Sequence, residues 1–61
     1  LIDSILAHRG NRSKRSSMEF KVRWLGFGDE YDSWEPYANL RDTAHLSEYL
    51  AANRLKSLLP K

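Results

Sequence analysis

Seven aromatic side chains, Phe20, Trp24, Phe27, Tyr31, Trp34, Tyr37 and Tyr49, are the residues of this chain best equipped to do something, and four of them fall between Trp24 and Trp34. Large rigid rings serve recognition rather than bond making. A chain of 61 residues has room for one small core and cannot fully bury so many rings in one place. Phe20, Trp34 and Tyr49 are expected in the core. Trp24, Phe27 and Tyr31, at a strand end and in polar turns, are expected to line a surface or groove, and clustered exposed aromatics mark binding surfaces. Catalysis has no comparable support: the Ser, His and Asp residues form no recognisable constellation, and no phosphate loop, nucleophile elbow or metal-ligand spacing occurs. His8 and His45 are read as surface or packing histidines. Neither a metal, a cofactor nor a small-molecule substrate is expected.

Charge is the second chemical resource. Ten Lys/Arg oppose eight Asp/Glu, a net charge of +2, but the signs are segregated. Six basic residues, Arg9, Arg12, Lys14, Arg15, Lys21 and Arg23, precede the acidic group Asp29, Glu30, Asp32 and Glu35. Such polarity suits a charged partner. Arg9, Arg12, Lys14 and Arg15 are candidates for auxiliary, unspecific contact with nucleic-acid phosphates, since no helix carries a groove-reading set. The plainer reading of the same run is a solvated loop.

These residues must be held by a few short elements. Leu1 to Leu6 is rich in branched aliphatics without strict alternation, a strand of about 1–8 that begins at or before Leu1. Gly10 to Ser17 has no apolar residue and reads as a hairpin loop. Met18 to Trp24 alternates, with Met18, Phe20, Val22 and Trp24 on one face, the period of a strand with one wet side. Gly26 and Gly28 around Phe27 end it, and a short strand of about 32–36 follows, closed by Pro36. A helix of about 43–53 then starts at Asp42 or Thr43 as N-cap, with Leu46, Tyr49 and Leu50 as its stripe. On the same helix Leu55, Leu58 and Leu59 would point to roughly the opposite side, so either the helix breaks near Asn53 or the tail of 54–61 offers an apolar patch. The expectation is an α+β domain, a single unit of 1–61, with three antiparallel strands and a C-terminal helix. It has no cysteine to staple it, which points to an intracellular home. There is no membrane-length apolar run, and the start lacks the regions of a signal peptide.

Phe20-Lys21-Val22-Arg23-Trp24-Leu25-Gly26-Phe27, then Asp29-Glu30, then Asp32-Ser33-Trp34-Glu35-Pro36 and Asn39-Leu40, resembles the chromodomain motif of an aromatic strand, Trp-x-Gly-aromatic, an acidic turn and Trp-Glu-Pro. The resemblance covers about Leu1 to Leu55. The Asn-Leu-Arg-Asp run, the helix ending in Glu-Tyr-Leu and the Leu-Leu-Pro-Lys tail are similar to chromodomains at the integrase C-terminus of gypsy-class long-terminal-repeat retrotransposons. The resemblance implies a curved three-stranded sheet with a helix packed across one end, and a nuclear module that engages a histone tail or another chromatin protein. In chromodomains of the heterochromatin protein class, the aromatics at the places of Trp24 and Phe27 wall a cage for methylated lysine, whose trimethylammonium is drawn to ring faces by contacts worth about 0.5 to 2 kcal/mol each. The third wall of that class would lie before Leu1. Tyr31 stands where such readers usually carry an acidic or small polar residue, so it either closes the cage from another side or occludes it. The peptide would add as a strand against Leu1, Ile2 and Asp3 on one side and Glu35 and Asn39 on the other. Arg41 falls where an acid is common, which alters the charge at that end.

Overall fold

The computed structural model describes residues 1–59; Pro60 and Lys61, the end of the expected tail, lie outside the described residues. Three antiparallel strands, β1 (Ile2–Arg9), β2 (Glu19–Trp24) and β3 (Ser33–Pro36), form one sheet in the order β1-β2-β3. The alternation of the central strand sets the geometry. Met18, Phe20 and Val22 are buried, while Glu19, Lys21 and Arg23 between them face the other side half-exposed. The missing alternation of β1 has a physical cause: its pairing with β2 shifts register between Ile2 and Ser4 and again between Ile5 and Ala7. Each irregularity adds a residue on one strand, bends it and raises the twist.

The β1–β2 connection is ordered by its own polar groups. Asn11 Oδ1 accepts the Ser13 amide at 2.9 Å, and the Ser17 hydroxyl bonds the carbonyls of Asn11 and Lys14. Gly10 has φ +111°, and a Cβ there would meet the Ser17 carbonyl oxygen at 2.3 Å, so no other residue fits.

Beyond β3, Pro36 turns the chain into a short helix, α1 (Tyr37–Leu40), which the sequence pattern did not announce. α2 (Ala44–Ala52) follows, and of the two N-cap candidates Thr43 takes the role, its hydroxyl accepting the Leu46 amide at 3.2 Å. The helix ends in a reversal. Arg54 adopts φ +61°, and the Leu55 amide bonds the Leu50 carbonyl at 2.8 Å. This six-to-one bond, with Leu50 and Leu55 both buried beside it, is the Schellman arrangement.

The tail therefore turns back after Asn53. Leu55 and Leu58 join Met18, Phe20, Val22, Tyr37, Leu40, Leu46 and Leu50 in the core, and Leu59 packs at its edge. The conflict between the two leucine stripes is resolved by the break; the exposed-patch alternative fails because Leu55 and Leu58 are buried. The Tyr37 hydroxyl fixes the tail by donating to the Leu58 carbonyl at 2.5 Å.

Trp34 departs from its expected place. It pairs across the ladder with Lys21, not with a core residue, so it shares the wet face of the sheet. There it is half-buried beneath the Arg9 guanidinium, 4.2 Å from the ring centroid, and Arg9 in turn binds Glu19 at 2.7 Å. Phe20 is buried as expected, and Tyr49 is half-buried against the core. The Tyr49 hydroxyl meets His8 Nδ1 at 2.7 Å, which makes His8 a packing histidine, and burial pushes the Tyr49 phenol above its ordinary pKa.

Candidate functional site

Trp24 ends β2 on the same face as Phe20 and Val22, and its indole projects over the edge of β3 because Ser33 and Glu35 pair with Val22 and Phe20 on that face. The turn after Trp24 uses Gly26 at φ +84° to reverse the chain. Phe27 follows on the turn, and a 3₁₀ turn over Asp29–Tyr31 then lifts Tyr31 beside it. Their ring centroids lie 5.2 Å apart at 59°, a tilted pair. Trp24, Phe27, Tyr31 and Ser33 line one open cleft of about 350 Å³. Phe27 is 57% exposed and Tyr31 59%, so two large rings stand at the surface without a packing role in the core.

Polar contacts hold the cleft's walls. The Trp24 indole N–H donates to Ser33 Oγ at 3.0 Å, the Ser33 hydroxyl donates to Glu35 Oε2 at 2.8 Å, and Asn39 Nδ2 donates to Glu35 Oε1 at 3.3 Å. This relay runs from a ring of the cleft to both residues expected at the far side of a peptide groove. Sequence reasoning missed Ser33, although its place one residue before Trp34 on a strand edge was visible. Nearby, Arg23 binds Asp32 through two bonds of 2.6 and 2.9 Å. The paired guanidinium holds the Asp32 carboxyl below the usual carboxylate range and the Arg23 group above its own. Asp32 thus braces the turn that carries Tyr31.

On the β1 side, Ile2 pairs with Trp24, and the Leu25 amide donates to the Leu1 carbonyl at 2.8 Å. Leu1 is 93% exposed, Asp3 is exposed, and Ile2 is half-buried against the core. A second cleft of about 530 Å³, lined by Leu1, Ile2, Trp24, Leu25, Thr43, Ala44 and His45, adjoins the first through their shared Trp24. The arrangement offers ring faces for a cation beside an apolar slot at the start of an edge strand. No group of three or more His, Cys, Asp or Glu side chains suited to a metal occurs among the described residues, and no helix among them is long and apolar enough to cross a membrane.

The proposed basic set is not brought together as a whole. Arg9 leaves it for Trp34 and Glu19 on the wet face of the sheet. Arg12 and Arg15 instead reach the tail: Arg12 Nη2 donates to the Arg54 carbonyl at 2.6 Å, and Arg15 Nη2 donates to the carbonyls of Leu59 at 2.8 Å and Ser57 at 3.4 Å. Lys14 is exposed between them.

Fold and cleft together describe a small sheet-and-helix domain with aromatic side chains exposed around an open cleft. Residues 1–51 match the family described as the Chromo (CHRromatin Organisation MOdifier) domain, and the chain belongs to it. That domain is a non-catalytic module. Over 39 residues, 64% of this chain, it is 46% identical to the chromatin-associated protein SWI6 of Cryptococcus neoformans var. grubii, of which those residues are 16%. It is 42% identical to the chromo domain-containing protein cec-1 of Caenorhabditis elegans over 67% of this chain and 12% of that protein. It is also 38% identical to DNA (cytosine-5)-methyltransferase 3 of Zea mays over 77% of this chain and 5% of that enzyme. The chain thus spans a sixth or less of the length of these relatives. No solved structure matches it.

Proposed function

We propose that this domain reads a methylated lysine on a histone tail, with Trp24, Phe27 and Tyr31 as the walls that receive the methylammonium. The observation that carries the reading is the cleft itself: two rings more than half exposed, and a third fixed by a hydrogen bond, around one open space. Exposed aromatic area is costly in a domain of this size, and a weakly hydrated cation is the ligand it fits. An ordinary lysine ammonium is strongly hydrated and loses more on entering. The peptide backbone adds beside Leu1, Ile2 and Asp3, while Glu35 and Asn39 hold its other side. Tyr31 closes the cleft rather than occluding it. Membership of the chromo domain family and likeness to a chromatin-associated protein support a nuclear, chromatin-bound role. The parent we propose is a retroelement integrase tethered to chromatin, supported by the likeness of the Asn39 to Asp42 run and the tail.

Calorimetric titration with one histone-tail peptide, trimethylated and unmethylated, tests this. Three ring contacts at about 0.5 to 1 kcal/mol each give the trimethylated peptide an advantage of about 10- to 150-fold. Equal binding of both forms would refute the cage.

A further inference from the structure

The end of the molecule opposite the aromatic cleft carries a second surface. β2 runs from Glu19 at the hairpin to Trp24 at the cleft, so the two ends lie roughly 17 Å apart along the strand. At the hairpin end, Arg12, Ser13 and Arg15 face Ser57 and Leu58 of the returning tail across an open cleft of about 650 Å³. Both arginines are anchored there by neutral backbone carbonyls of Arg54, Ser57 and Leu59 rather than by carboxylates. That distinction decides what the surface can do. The ion pairs among the described residues are Arg9–Glu19, Arg23–Asp32 and Arg41–Asp42, and neither Arg12 nor Arg15 belongs to one. Their guanidiniums are held in place with full charge and with donors to spare.

The tail enlarges the patch. Its turn brings Arg54 and Lys56, both exposed, to the hairpin that carries Arg12, Lys14 and Arg15. Residues 10–17 and 53–59 together hold these five cations and no acidic residue. Among the described residues no aromatic ring lines the cleft, so none of them offers a face on which a base could stack. We infer that this surface binds the sugar-phosphate backbone of a nucleic acid, without base reading, through Arg12, Lys14, Arg15, Arg54 and Lys56. A dispersed set of fixed and flexible cations on two chain segments suits a line of phosphates better than a single phosphoryl group. Arg9, counted with the hairpin by sequence, has no part in it because Glu19 compensates its charge. The site is independent of the methyl-lysine reading and leaves the aromatic cleft accessible.

Arg12 and Arg15 also hold the tail, so their removal would confuse binding with folding; Lys14 and Lys56 do not serve as such anchors and are the better probes. Fluorescence anisotropy with a mixed-sequence duplex of about 20 base pairs, and a single strand of equal length, should give dissociation constants of about 10⁻⁴ to 10⁻⁶ M. With about three to five phosphates neutralised, duplex affinity should fall roughly 40- to 500-fold between 50 and 200 mM salt. The double variant Lys14→Gln, Lys56→Gln should keep its circular dichroism and its peptide affinity while the log–log salt slope drops by about 1.8. Binding of either nucleic acid with that loss of slope supports the inference. Failure of both to bind at 50 mM salt, a slope untouched by the double variant, or binding of a phosphorylated peptide when neither nucleic acid binds would overturn it.

Discussion

Replacing Ser33 by alanine tests whether the cleft depends on the relay behind it. Ser33 lines the cleft but is not one of the rings proposed to receive the methylammonium; its hydroxyl accepts the Trp24 indole N–H at 3.0 Å and donates to Glu35 at 2.8 Å. Without it the indole loses its only directional restraint at the cleft, and ordering the ring becomes a cost of binding. A neutral hydrogen bond contributes about 0.5 to 1.5 kcal/mol net, which sets the expected loss for a trimethylated peptide at about two- to twelve-fold. Glu35 loses a donor as well, which would weaken backbone binding equally for methylated and unmethylated peptides. The informative quantity is therefore the ratio of the two affinities, measured by calorimetry, together with the Trp24 indole N–H resonance. Ser33→Ala should lower that ratio and move the resonance; Ser33→Thr, which keeps the hydroxyl, should restore both. If both peptides lost affinity alike, or if threonine failed to rescue, Ser33 would be supporting Glu35 and not the ring.

Trp34→Ala should remain folded and retain peptide binding, because Trp34 lies on the wet face beneath Arg9; circular dichroism and urea unfolding should show a loss of about 1 to 2 kcal/mol, below the 3 to 5 typical of a core aromatic. Leu58→Ala should cost about 2 to 5 kcal/mol against a total of about 3 to 9 for a domain of this length, so the far-UV signal of the variant should show a substantial unfolded fraction. Asp32 has its carboxyl held below the ordinary range by Arg23, so its stabilising effect is complete above the unfolded value of about 3.9 and is lost as pH falls from there through the folded value. Stability followed across that acid window should fall less steeply in Asp32→Asn than in the parent chain; parallel curves would show that the pair is not what acid breaks.

The parts of the fold visible in the sequence are those where local pattern and tertiary demand coincide. The alternation from Met18 to Trp24, the polar run from Gly10 to Ser17 and the Leu46, Tyr49, Leu50 stripe each fix a burial pattern by period alone. Trp34 was misplaced because ring size suggests burial, whereas the register that pairs it with Lys21 is a property of two strands and their connecting turn. α1 escaped notice because four residues carry no period. The reversal at Arg54 is only half legible: the opposed leucine stripes leave a break near Asn53 or an exposed patch as alternatives, the usual glycine mark is absent and an arginine bears the left-handed conformation. For the candidate site, motif likeness points to Trp24, Phe27, Glu35 and Asn39; the position of Ser33 beside Trp34 is legible too, but its bond to the indole follows only from the ladder that sets it opposite Val22.

The returning tail supplies an essential share of the core of this short chain. Leu55 and Leu58 fill the core beside Phe20 and Leu50, while Phe27 and Tyr31 stay outside it. At about 1.5 to 3 kcal/mol for each fully buried leucine, these two residues supply stabilisation of the same order as the domain's whole net stability. The tail is held by Tyr37, Arg12 and Arg15 through its carbonyls, which accept these bonds because the chain there forms a turn rather than a continued helix. The residues matched to the family end at 51, so this core-forming tail lies just beyond them. One reversal of the chain thereby does two things: it closes the core with Leu55 and Leu58 and brings Arg54 and Lys56 to the arginines of the hairpin.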